Sequence, residues 1–155
     1  MLTKSQQLLY YIINKRGQIE DKTKLAKLQY FSDFIHFAFN DSAISQDTII
    51  YTKQKQGPLS RSFNDDLTIL IESGLVTESP KYHYKINTEK ELNLLPKEKA
   101  TIDYVLKKYG ELSFSELVDI CHTQAPFLSA QKSGVIEFFT AYNLVDEYPD
   151  YNTSA

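Results

Sequence analysis

The stretch Lys22–Phe39, KTKLAKLQYFSDFIHFAF, constrains this chain more than any other. Asp21 stands ahead of it as a candidate N-cap, its carboxylate placed to accept the orphan N–H groups of a first helical turn. At a period of 3.6, Leu25, Leu28, Phe31, Ile35 and Ala38 fall on one side. Tyr30, Phe34 and Phe37 widen that side well beyond a normal stripe, and only Lys22, Gln29, Asp33, His36 and Asn40 form a narrow polar line. A helix apolar nearly all round has to be buried. The chain is therefore expected to wrap its other elements around this one, and Tyr30, Phe34 and Phe37 are read first as core and second as interface. Asp33 and His36, three residues apart on the polar line, are expected to satisfy each other or the turn at Gly57 inside the fold.

Capping signals place the remaining elements. Thr3 and Gln6 form a capping box ahead of a helix Lys4–Arg16, with Leu8, Leu9, Ile12 and Ile13 on its buried face and Gly17 as its stop. Ile49–Lys53 reads as a short strand. Pro58 is expected in the first turn of a third helix that buries Leu59, Phe63, Leu67, Leu70 and Ile71 and ends at Gly74. Val76–Thr88 alternates as a two-stranded hairpin around Pro80, and one small sheet is expected to combine it with Ile49–Lys53. A fourth helix covers Lys97–Tyr109. Ser113 and Glu116 cap a fifth, with Phe114, Leu117, Val118 and Cys121 inward; His122–Leu128 is a turn around Pro126. A last helix is expected over Ser129–Tyr142. The fold class is thus mainly α with a small β-sheet, one domain over residues 1–145, with 146–155 a flexible tail.

The chemistry-bearing residues are sparse. With 155 residues, 42% of them hydrophobic, the chain can bury its own core. A single cysteine excludes an intramolecular disulfide framework. Cys121 and His122 are adjacent, so on a helix they point in different directions, and His36 and His83 pair with no other ligand at helical spacing. No metal, cofactor or catalytic set is expected. The N-terminal segment is too polar for a signal peptide and no apolar run is long enough to span a membrane, so a cytoplasmic location is expected. The net charge is −3, but six Lys/Arg stand against three Asp/Glu in residues 1–40. That leaves room for a local basic surface, not for a global nucleic-acid footprint. Lys81, His83 and Lys85 alternate along the hairpin as a DNA-contacting wing would, while the helix before it offers Arg61 against Asp65, Asp66 and Glu72. A winged-helix regulator is therefore the alternative reading, with nucleic-acid contact disfavoured.

Three separated segments carry a family resemblance. They are Lys27-Leu28-Gln29-Tyr30-Phe31-Ser32-Asp33-Phe34-Ile35-His36, then Lys55-Gln56-Gly57-Pro58, then Leu117 with His122 and Pro126-Phe127. In this order they resemble the Panacea domain family, the SocA-like or GepA-like antitoxin domains. Ser32 stands at a small-residue position, Gln56 where an aromatic is common, and Phe127 where the family has Trp. The resemblance implies a mostly helical domain over about residues 5–145 that binds a cognate toxin protein, or in one mode delivers it to a protease. It implies no catalysis. Lys27, Tyr30, Asp33, His36, Gly57, Pro58, His122 and Pro126 are its motif residues, read as structural. The expected exposed partner contacts are Lys55, Gln56, Arg61, Tyr82, Tyr84 and Phe127, the side chains projecting from a strand–turn–helix junction and the hairpin.

Overall fold

Helix burial organises the computed structural model, which describes residues 1–46, 49–80 and 83–151. Helix α1 (Lys4–Arg16) starts at the Thr3–Gln6 capping box and stops at Gly17, whose φ of +92° a side chain would resist. Helix α2 (Lys22–Asn40) starts where Asp21 Oδ1 accepts the Lys24 N–H at 2.7 Å. From Lys24 to His36 every residue of α2 is buried. It packs against α1, α4 (Pro96–Tyr109), α5 (Phe114–His122) and the 3-10 helix Phe138–Glu147. Burying a side chain such as Leu28, Phe31, Phe34 or Ile35, all fully enclosed, contributes about 1.5–3 kcal/mol each. The central helix is thus where sequence patterning put it.

The extended segments differ from expectation. Strand β1 (Tyr51–Gln54) turns back at once into β2 (Gly57–Ser60), with Gln54 opposite Gly57 and Tyr51 opposite Ser60. Pro58 therefore sits in a strand, opposite Lys53, rather than opening a helix. A fixed φ near −65° and a missing N–H suit an edge strand as well as a first helical turn, and β2 is the edge of its sheet. Helix α3 (Phe63–Glu72) begins five residues later. β1 pairs on its other side with β5 (Val135–Ile136), so the order is β2-β1-β5, all antiparallel. The hairpin β3 (Val76–Glu78) and β4 (Tyr84–Ile86) forms a separate two-stranded sheet, not a continuation of β1. It docks on the α1–α2 loop, where Ile19 and Tyr84 exchange both backbone hydrogen bonds at 2.9 and 3.0 Å.

The C-terminal third holds the other corrections. Between α5 and β5 lies a short helix α6 (Ala125–Ser129) where a turn was expected. The helix expected over Ser129–Tyr142 is absent. Ser133 takes a positive φ, Gly134 follows, and the β-branched pair Val135–Ile136 adds to the sheet before the 3-10 helix begins at Phe138. Of the residues expected to face inward on α5, Leu117 and Cys121 do, but Phe114 is exposed. Residues 146–151, expected as part of a flexible tail, pack on the body: Tyr148 is buried and Tyr151 stacks on Phe39 with ring centres 4.3 Å apart. Among the described residues no helix is long and apolar enough to cross a membrane. The architecture is mainly α with small antiparallel sheets.

Candidate functional site

A two-residue turn, Lys55-Gln56, projects from the β1–β2 hairpin over the first half of α2. Gly57 closes the turn at φ +107°, a region that costs a Cβ-bearing residue conformational strain. The site is also too crowded for a Cβ, which would lie 3.2 Å from Cε of Lys27 and 3.4 Å from Cβ of Cys121. Gly57 thereby lets the hairpin lie directly on α2 and α5. Lys27 Nζ then donates to the Pro58 carbonyl at 2.7 Å. From α5, His122 Nε2 lies 3.1 Å from the Lys55 carbonyl, and its ring packs on Phe127 at 4.6 Å. Lys53 Nζ stands 4.4 Å above the Phe127 ring. Three motif segments far apart in sequence thus converge on one hairpin.

Beside the hairpin, the start of α2 and the start of α3 enclose an open groove of about 510 Å³. Lys22, Lys27, Lys55 and Gln56 line it together with Phe63 and Asn64. Burial lowers the Lys27 pKa from 10.5 to about 8, and burial raises the Cys121 thiol from 9.0 to about 12. Lys27 is therefore still mainly protonated at neutral pH, and Cys121 is a neutral thiol with no exposure to solvent.

The second half of α2 is polar in a different way. The Asp33 carboxylate accepts from Tyr51 Oη at 2.6 Å and from the Ser45 N–H at 2.8 Å. Burial raises its pKa from 3.8 to about 6, and those hydrogen bonds pull it back down. His36 Nδ1 lies 2.7 Å from the Ser42 carbonyl. Asp33 and His36 therefore do not satisfy each other, nor the Gly57 turn; each is held by the loop that follows α2. Tyr30 donates to Gln124 Oε1 at 2.7 Å, and Gln124 Nε2 donates to Tyr148 Oη at 2.7 Å. Among the described residues, neither polar side-chain atom of buried Gln29 has a hydrogen-bond partner.

The expected partner contacts separate into two groups. Lys55 and Gln56 are exposed at the turn and line the groove, and half-buried Phe127 lies at the hairpin's flank. Arg61 is exposed just past β2 but does not line the groove. Tyr84 corrects the expectation: it is wholly buried, with its hydroxyl on Glu78 Oε2 at 2.9 Å, because its strand docks on Ile19. Tyr82 and Lys81 lie outside the described residues. Pro126 is buried, as a structural motif residue would be. Asp66, in the first turn of α3, is buried and accepts from Ser5 Oγ, Gln6 Nε2 and Ser62 Oγ. Sequence reasoning did not single out Thr23, Phe63 or Asn64 as groove residues. Helical spacing could have found Thr23, one turn before Lys27 on the same face.

No curated protein and no solved structure matches the chain. A family model described as antitoxin SocA-like, Panacea domain, matches residues 25–126, from the start of the buried part of α2 to α6. The match covers more than half of the sequence and includes Lys27, the Lys55–Pro58 turn and His122, and the chain belongs to this family of antitoxin-like domains.

Proposed function

We propose, from membership of an antitoxin-like family, that this protein neutralises a cognate toxin protein by direct contact. The observation that carries the reading is the convergence of Lys27, Gly57-Pro58 and His122 on one exposed hairpin beside an open groove. An arrangement in which these residues shape a concave surface suits recognition. A binding role rather than catalysis is supported by Cys121, whose thiol is buried and held protonated, and by His122, whose ring is engaged with a backbone carbonyl and Phe127. The cytoplasm is the fitting compartment, since a lone thiol stays reduced there.

The DNA-binding alternative is the less favoured. Asp65 and Glu72 are exposed on α3, where a reading helix would face phosphates. The test is co-expression with each neighbouring gene product, reading growth rescue and pull-down together. Rescue with a stable complex is the expected result; rescue accompanied by falling toxin levels identifies delivery to a protease. Absence of binding and of rescue for every neighbour overturns the proposal. Nanomolar, sequence-specific DNA binding at physiological salt would replace it with the regulator.

A further inference from the structure

Lys27 is a buried cation with no carboxylate partner among the described residues. It is 3% exposed. Lys24, one turn away and 2% exposed, shows the ordinary solution: its Nζ lies 2.7 Å from Glu20 Oε2. Lys4 likewise meets Glu98 at 2.7 Å. Lys27 has instead a single neutral acceptor, the Pro58 carbonyl. An ammonium carries three donors, and a buried charge with no counter-ion is costly to keep.

The groove that Lys27 lines reverses the sign of the molecule. The chain as a whole carries −3, yet the groove has three lysines, Lys22, Lys27 and Lys55, and no carboxylate among the described residues that line it. Its remaining wall includes Ala26, Leu59 and Phe63. Lysines interspersed with apolar lining match a peptide in which an acidic side chain neighbours apolar ones. An extended polyanion fits less well. Asp21 and Asp65 each adjoin a lining residue in sequence, and their charges disfavour a run of phosphates.

We propose that this groove is the toxin-contacting surface, and that it receives an acidic peptide segment of the partner whose Asp or Glu carboxylate pairs with Lys27, with Lys22 and Lys55 at its rim. The inference rests on the toxin-binding reading above and names the chemistry of the partner. Lys27 supplies the desolvated ion pair that holds the complex together, and Lys55 at the exposed turn steers association.

The test uses the toxin identified by growth rescue and compares its affinity for wild type, Lys27→Met and the double variant Lys22→Glu/Lys55→Glu. Removing one member of a desolvated pair should weaken binding at least about thirtyfold, mostly through faster dissociation. The exposed double reversal should slow association and abolish its salt dependence without touching the fold. If Lys27→Met does not fold, the double variant decides alone. Unchanged toxin affinity in the folded variants overturns the groove assignment and leaves the antitoxin reading standing.

Failure of every neighbouring product to bind wild type overturns that reading instead. The groove is then tested with a capped Leu-Glu-Phe-Glu-Leu peptide and its Gln counterpart by amide NMR. Selective shifts at Lys55 and Gly57 with the Glu peptide support the groove; equal or absent shifts overturn it. Displacement of the peptide by a DNA duplex at physiological salt assigns the lysines to nucleic acid and also overturns it.

Discussion

Lys27 and Asp33 stand six residues apart on the same buried helix and are accommodated in opposite ways. Asp33 is enclosed: the Tyr51 hydroxyl and the Ser45 amide both point at its carboxylate, from β1 and from the loop after α2. Lys27 has one backbone acceptor and borders open space. Buried polarity with its partners supplied from within the chain pins elements together. Buried polarity that fronts a groove, without a counter-ion, is a feature the fold alone does not explain. On the proposed reading, the difference separates the structural half of α2 from the half that meets the partner.

The sharpest way to break this contrast is Asp33→Ala. It strands the buried Ser45 N–H and leaves the Tyr51 hydroxyl only its 3.3 Å contact to the Gln29 carbonyl. An unsatisfied buried donor costs about 1–3 kcal/mol, so with the cavity left behind a loss of about 2–4 kcal/mol in denaturant unfolding is expected, comparable to a core truncation such as Leu28→Ala. A melting temperature near wild type would erase the distinction. Next in size is Gly57→Val, which forces a branched side chain into positive φ and against Lys27 and Cys121. A loss of about 1 kcal/mol or more is expected, read as a lower urea midpoint. It should also displace the Lys55-Gln56 turn and weaken partner binding more than stability alone predicts.

The two groups should also respond to pH in opposite directions. Asp33 holds its proton more tightly folded, at about 6, than the ordinary 3.8, so its contribution is complete below pH 3.8. Stability should fall as pH rises from about 4 to about 6, and Asp33→Asn should flatten that slope. Lys27 releases its proton at about 8 folded against 10.5 ordinarily, so the folded state binds fewer protons between those values. Stability should rise from about pH 8 to about 10.5, and Lys27→Met should flatten it. The facing groups are Cys121 from α5 and the β2 backbone, with no carboxylate ion pair among the described residues to reverse the sign. Each change is on the order of 1 kcal/mol or more. Smallest of all is the effect of Lys27→Met at neutral pH. Exchanging a buried charge for an apolar chain is often nearly neutral, so a shift within about 1 kcal/mol is expected. A large loss there would make Lys27 a structural residue like Asp33.

Local chemistry was legible in the sequence, and long-range pairing was not. Thr3 with Gln6, Asp21, and Ser113 with Glu116 announced three helix starts because each cap bonds within three residues of itself. The burial of α2 followed from its apolar circumference alone. Pro58 misled because its backbone suits two elements equally, and only pairing with β1 decides between them. The Asp33–His36 pairing misled because the true partners lie up to 18 residues away along the chain. Tyr84 was expected exposed, and nothing local reveals that its strand packs against α1 and pairs with Ile19. A turn at Lys55-Gln56-Gly57-Pro58 was placed correctly along the chain, but as a strand-to-helix junction where the structure has a β-hairpin. The groove beside it depends on α3 starting at Phe63 and could be seen only in three dimensions.

The stacking of Phe138 on Phe34 and Phe37, at 4.7 and 5.3 Å, has a consequence for synthesis. About 100 residues separate Phe37 from Phe138. At roughly 5–20 residues per second, a ribosome leaves that aromatic flank of α2 without its cover for roughly 5–20 s. During that interval the nascent chain presents a sticky helix to chaperones and proteases, and only the closing 3-10 helix withdraws it. The supply of finished protein is therefore sensitive to how quickly its last residues are made, and a slowed ribosome would shift newly made chains from folding toward degradation.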